Sequence, residues 1–247
     1  MKVAGFTTLT EWADHLAARI IALVEANPDA RLCLPTGLTP LPVYHRLAAA
    51  VREGRVSFKR AEVFLLDEFG GVPVDAEGRC DVMLRRALID HIDLPEERYH
   101  RLDTESGDLD AVGLAYDRAI DGRLDLTILG IGTNGHIGMN EPGSAPDSPT
   151  RWIDLAPETI AAAGRYFGTA PLPTWGITMG VKPILASREI WLLATGASKA
   201  PIVRRLLTET PSPALPASLL RRHPNCWLFV DADALAPSLV PASGGAS

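Results

Sequence analysis

The chain has 247 residues, 47% of them hydrophobic, and a formal net charge of −6; that is enough for one large α/β domain with a sizeable core. The acidic balance, with no run of Lys or Arg longer than two, argues against nucleic acid or an anionic membrane surface as a partner. No segment approaches the roughly 20 apolar residues of a membrane span, and MKVAGFTTLTEW lacks the apolar core and cleavage site of a signal peptide.

In chain order, a helix is expected from Thr10 to about Ala26, with Trp12, Leu16, Ile20, Leu23 and Val24 as its apolar stripe. A strand follows at Arg31–Leu34. In the joint LPTGLTPLPVY, Gly37 sits in the turn, Thr39 is expected to cap the next helix, and Pro40 fits its first turn. That helix should run to about Glu53. The free amides of such a joint form a ready phosphate site. The strand Ala61–Leu66 ends in Asp67 and Glu68. At the carboxyl end of a strand a carboxylate can reach a ligand crevice; the same pair could also simply begin a polar loop. Helices are expected over about Arg79–Ile92 and Asp110–Ile120.

The stretch Leu124–Ser144, LDLTILGIGTNGHIGMNEPGS, is the richest in chemistry. An apolar strand over Leu124–Leu129 runs into Gly130, Gly132 and Gly135, which let the backbone turn sharply and approach a ligand. His136 titrates near neutrality, and Glu141 can orient it or share its proton. The three glycines literally satisfy G-x-G-x-x-G. A dinucleotide fingerprint must open a helix, however, and Pro142, Gly143, Pro146 and Pro149 break any helix begun here. Further on, a strand over Arg188–Ala194 leads to Gly196, to Ser198 as an expected cap, and to Lys199 in the first turn of a helix reaching about Leu207. Lysine opposes the helix dipole there, a cost that makes sense if its charge faces a phosphate. Cys226–Val230 reads as the last strand, and residues 236–247, rich in Ala, Pro, Ser and Gly, as a mobile tail after one domain over 1–235. Cys33, Cys80 and Cys226, odd in number and without metal-ligand spacing, are expected to be buried reduced thiols of a cytosolic protein. Alternating strands and helices point to a parallel sheet covered on both faces.

The segments PTGLTPLPVYHRL, LLDEFGG, GIGTNGHIGMNEPGS and TGASKA, in this order and spacing, resemble the glucosamine-6-phosphate deaminase family over nearly the whole chain. GHIGMNEPGS is the most specific of them and separates the chain from the related 6-phosphogluconolactonases. The resemblance implies a Rossmann-like three-layer sandwich with a mostly parallel central sheet. It further implies conversion of glucosamine 6-phosphate, a small-molecule amino-sugar phosphate, to fructose 6-phosphate and ammonia without a metal or organic cofactor. By motif, Asp67 resembles the general base, His136 the group that assists ring opening, and Glu141 its acidic partner. Arg165 and Lys199, with the loop Thr36, Gly37, Leu38 and Thr39, resemble the phosphate-binding set. Asn134 stands where many members have an aspartate, which implies a neutral partner for His136 whose pKa is raised less. Ile153 falls where allosteric members place a lysine, although Ser144 and Arg151 are kept, and their longer C-terminal segment is missing; no activation by N-acetylglucosamine 6-phosphate is expected. Galactosamine-6-phosphate deaminase, 6-phosphogluconolactonase and a sugar-phosphate sensor are the alternatives. A sensor of this fold would need a helix-turn-helix, for which the residues before Leu32 leave too little room. Nothing in the sequence argues for an oligomeric state.

Overall fold

In the computed structural model, which describes residues 1–235, the apolar runs become strands of one parallel sheet. The expected tail at 236–247 lies outside the described residues. The elements in order are β1 (Lys2–Phe6), α1 (Leu9–Ala26), β2 (Arg31–Leu34), α2 (Leu41–Arg52), β3 (Glu62–Leu65), β4 (Asp67–Gly70), α3 (Cys80–Ala87), β5 (Tyr99–His100) and α4 (Leu109–Ile120). They continue with β6 (Leu126–Gly130), β7 (Arg151–Asp154), α5 (Pro157–Phe167), β8 (Trp175–Thr178), α6 (Val181–Leu185), β9 (Ile190–Ala194), α7 (Ala200–Thr208), α8 (Pro216–Leu219) and β10 (Cys226–Asp231).

Seven strands form the main sheet in the order β1-β10-β9-β6-β2-β3-β5, every pair parallel. From β2 the chain winds outward through β3 to β5, then returns to β6 and winds the other way through β9 to β10. The order therefore reverses between β2 and β6, and the crevice above their carboxyl ends is where open α/β sheets bind ligands. Side-chain alternation sends Leu32, Leu34, Val63 and Leu65 to one face, where Trp12, Leu16 and Ile20 of α1 and Val43 and Leu47 of α2 cover them. Cys33, Phe64, Leu129 and Leu192 point to the other face, against Tyr116 and Ile120 of α4 and Ile202 and Leu206 of α7. The result is the expected three layers. Each fully buried large apolar side chain contributes about 1.5–3 kcal/mol. No helix among the described residues is long and apolar enough to cross a membrane.

Local chemistry sets the helix ends. Thr8 and Glu11 close a reciprocal capping box, Glu11 N–H donating to Thr8 Oγ1 at 3.1 Å and Thr8 N–H to Glu11 Oε2 at 3.3 Å. Thr39 does not cap α2 as expected. The turn before α2 is already helical at Pro40, whose carbonyl accepts from Val43 and Tyr44, and no side chain caps it. Ser198 is likewise no cap, because Ala197–Lys199 form a single 3-10 turn closed on the Gly196 carbonyl, and α7 begins only after Lys199. The helix expected over Arg79–Ile92 stops at Ala87; Leu88 leaves helical backbone, and a 3-10 turn over Ile89–His91 follows.

A second sheet was not foreseen. β4, β8 and β7 pair antiparallel in that order, so Asp67 and Glu68 begin a buried strand rather than a polar loop. Leu66 stands at the fork between the sheets: its N–H donates to the Leu34 carbonyl at 3.1 Å, and its carbonyl accepts from Met179 N–H at 2.8 Å.

Candidate active site

The loop after β2, the start of β4, the loop after β6, helix α5 and the β9–α7 turn converge on one cavity of about 280 Å³ above the β2/β6 reversal. It is lined by Thr36, Gly37, Leu38, Thr39, Asp67, His136, Arg165 and Lys199, and Asn134 and Glu141 lie directly behind His136. A larger cavity of about 680 Å³ opens beside the edge strand β5. Its charges are committed to one another, Arg101 to Asp81 at 3.3 Å and Arg79 to Glu68 at 3.3 Å, and it lies away from the reversal. The smaller cavity is therefore the candidate active site.

At one end is Asp67, 8% exposed. Burial pushes its carboxyl up to about 7, opposed by a hydrogen bond from Cys80 and assisted by the charge of Glu68. Its neighbour Glu68 has a different job. Its carboxylate accepts from Phe69, Cys80 and Asp81 N–H at 2.7, 2.9 and 2.9 Å, so it caps the start of α3, whose own flanking residue Arg79 offers no cap. Two adjacent carboxylates thus divide into one in the cavity and one in the scaffold.

His136 sits across the cavity on a turn that only glycine allows. A Cβ on Gly132 would stand 2.3–2.5 Å from three atoms of the imidazole, and Gly138, at φ +58°, passes so near Asp67 that a Cβ there would be 3.3 Å from Oδ2. The His136 Nδ1 is 3.5 Å from Glu141 Oε2 and 3.2 Å from Thr159 Oγ1. Asn134 does not face the ring as its partner. Its Oδ1 accepts from the His136 backbone N–H at 3.0 Å and its Nδ2 donates to Glu141 Oε2 at 2.9 Å. The acidic partner of the ring is Glu141, held down to about 2, against its own burial, by hydrogen bonds from His136, Thr159 and Asn134.

The other end of the cavity gathers positive charge. Lys199 Nζ donates to the Ile131 carbonyl at 2.6 Å, and burial together with the nearby Arg165 lowers its pKa. Arg165 is exposed and donates through Nε to Ala162 O in its own helix. Two cations close enough to repel, above a turn with Gly37 at φ +91°, make a receptor for an anion, and an arginine fork suits phosphate. Among the described residues no group of three His, Cys, Asp or Glu side chains is placed to hold a metal ion.

Three contributors were not visible beforehand. Thr159 and Tyr166 belong to α5, which was not anticipated although Pro157 and Glu158 are helix-start signals. Tyr166 reaches the Leu38 backbone and lies where a Cβ on Gly37 would be 3.0 Å from its hydroxyl. Cys80 is buried and reduced, as are Cys33 and Cys226, but it also lines the cavity together with Thr36 and Asp67; no spacing in the sequence signals that.

The profile of glucosamine-6-phosphate isomerases/6-phosphogluconolactonase matches residues 7–228. A glucosamine-6-phosphate deaminase of Bacillus pumilus is 39% identical over 237 residues, covering 95% of this chain and 98% of the relative. Among solved structures, a monomeric glucosamine-6-phosphate deaminase superposes with a TM-score of 0.91 at 34% identity, over 95% of this chain and 98% of that one. A 6-phosphogluconolactonase from Thermotoga maritima, at 24% identity and a TM-score of 0.74 over 93% and 99%, shares the fold. With the profile spanning nearly all of the chain and a full-length relative at this identity, the protein belongs to the glucosamine-6-phosphate isomerase/6-phosphogluconolactonase family.

Proposed function

We propose that this protein isomerises and deaminates glucosamine 6-phosphate to fructose 6-phosphate and ammonia. The observation that carries the reading is Asp67, a buried carboxyl near 7 in the cavity that also holds His136 and the Arg165/Lys199 pair. A base that must take a proton and return it works best near the operating pH.

The phosphate binds to Arg165, Lys199 and the Thr36–Thr39 amides, and the sugar extends toward Asp67 and His136. His136, oriented by Glu141, takes the C1 hydroxyl proton on the ring nitrogen that faces the sugar and passes it to the ring oxygen, which opens the ring to the 2-amino aldehyde. Asp67 takes the C2 proton and leaves an enolamine, then returns the proton to C1. The resulting C2 imine adds water and expels ammonia, so the balance is one substrate and one water to one ketose phosphate and one ammonia. Asn134 acts on His136 through the backbone and through Glu141. The net charge of −6 and the compact anion receptor of Arg165 and Lys199 support a small anionic substrate rather than nucleic acid. Three free, buried cysteines support a reducing, cytoplasmic setting. Because the cavity draws on loops from Thr36 to Lys199, we read residues 1–235 as one functional unit.

The test is ammonia release from glucosamine 6-phosphate, with galactosamine 6-phosphate and 6-phosphogluconolactone run in parallel. Release from the first, lost in Asp67→Asn, supports the reading. Silence there, with hydrolysis of the lactone, would overturn it.

A further inference from the structure

Helix α5 touches the His136 end of the cavity more closely than the roles above require. Its flanking residue Ala156 has no side-chain cap; instead the Ala156 N–H donates to Glu141 Oε1 at 3.3 Å, so a carboxylate from another loop meets the positive end of the helix. One turn in, Thr159 is 8% exposed, and its hydroxyl lies 3.2 Å from His136 Nδ1, nearer than the Glu141 carboxylate at 3.5 Å. The same hydroxyl is among the groups that hold the Glu141 carboxyl below its ordinary range. A hydroxyl can accept one hydrogen bond while donating another, and an ionised carboxylate can only accept. The arrangement that satisfies all three groups has Nδ1–H donating toward Thr159 and Glu141 while Thr159 O–H donates to Glu141. This places the hydrogen of the neutral ring on Nδ1 and leaves Nε2 for the cavity.

We propose that Thr159 is a positioning residue for His136, its hydroxyl bridging Nδ1 and Glu141 so that the imidazole is held in one tautomer and one ring orientation with Nε2 toward the sugar. Carboxylate and hydroxyl act together here. Glu141 supplies the charge, and Thr159, fixed on a helix, supplies the direction that a contact of 3.5 Å alone does not enforce. The step served is ring opening, so the kinetic part of the inference rests on the deaminase reading; the geometric part does not.

The experiment uses the full chain with 15N-labelled histidine, His136 being assigned by loss of its signals in His136→Gln. At pH 8 the parent should show a single Nδ1–H tautomer of His136. Thr159→Val, which keeps the shape and removes the hydroxyl, should show a mixture, and Thr159→Ser should restore the parent pattern. With glucosamine 6-phosphate, Thr159→Val should lower kcat about tenfold, as expected for one lost hydrogen bond that acts in the transition state, with KM changed less than twofold and Thr159→Ser restoring the rate. A Thr159→Val protein with the parent tautomer, or one with a mixture but an unchanged kcat, overturns the proposal. If the parent releases no ammonia, the deaminase reading fails, and the tautomer measurement still decides whether Thr159 holds the ring.

Discussion

Replacing Asp67 with asparagine should make the protein inactive and, above neutral pH, more stable. Burial raises the carboxyl from the ordinary 3.8 to about 7, which corresponds to about 4 kcal/mol of preference for the neutral form in the folded state. Below pH 3.8 the group is protonated whether the chain is folded or not, and it contributes nothing to the difference. Between 3.8 and 7 the unfolded chain releases the proton while the folded protein keeps it, so stability falls as pH rises. Above 7 the folded protein carries the charge at full cost. Asparagine has no charge at any of these values. The advantage of Asp67→Asn should therefore grow from near zero at pH 4 to at most about 4 kcal/mol at pH 8.5, a rise in the urea midpoint on the order of 1 M for an m-value of roughly 3 kcal/mol/M. Urea unfolding of parent and variant at pH 4, 6 and 8.5 measures it. In the same preparations, kcat/KM of the parent should rise with pH through about 7 as Asp67 ionises, and the variant should lose roughly 10²- to 10⁴-fold in turnover. A variant less stable than the parent at pH 8.5, or one with an equal advantage at pH 4 and 8.5, would refute the argument from burial.

Lys199→Ala should raise KM for the sugar phosphate at least about tenfold, with a smaller change in kcat, because it removes a compact charge from the anion receptor; an unchanged saturation curve would remove Lys199 from phosphate binding. Gly132→Ala puts a methyl within 2.5 Å of the His136 ring, so kcat should fall by two orders of magnitude or so while circular dichroism stays that of the parent; full activity would mean that the ring does not work from its observed position. Ile153 packs against the core as an apolar side chain, and Arg151 is engaged with Asn140 and Ser144 at 2.9 and 3.0 Å. Addition of N-acetylglucosamine 6-phosphate should leave a hyperbolic saturation curve unmoved, and a shift would show that an effector site is present.

The parallel sheet was legible because its strands are buried on both faces, so RLCL, EVFL, LTILG and IWLLA read as apolar runs broken only by Arg31 and Glu62 at the entrances and by Thr127. The antiparallel sheet was not. DEFG, RWID and WGIT are four residues each, the first two mix charge with aromatics, and they owe their strand form to partners more than 80 residues away in the case of Asp67 and Thr178. In the site, the glycines around His136 carried the strongest signal, since a close approach leaves no other residue possible. The resemblance made Asn134 a neutral partner of His136, whereas the turn directs its amide to the His136 backbone and to Glu141, an orientation that residue type alone does not reveal. Thr159 was silent, being an ordinary helix residue until the fold brings it against a loop 23 positions away.

Leu66 joins the two sheets through its backbone. Its N–H belongs to one sheet and its carbonyl to the other, so the residue that follows it is held in register by main-chain bonds that no change of side chain at position 67 disturbs. The carboxyl of Asp67 can be shortened, lengthened or neutralised while its Cα stays anchored. The scaffold thereby separates where a reactive group stands from what that group is, and a lineage or a protein engineer can exchange the chemistry at this point without reopening the problem of folding.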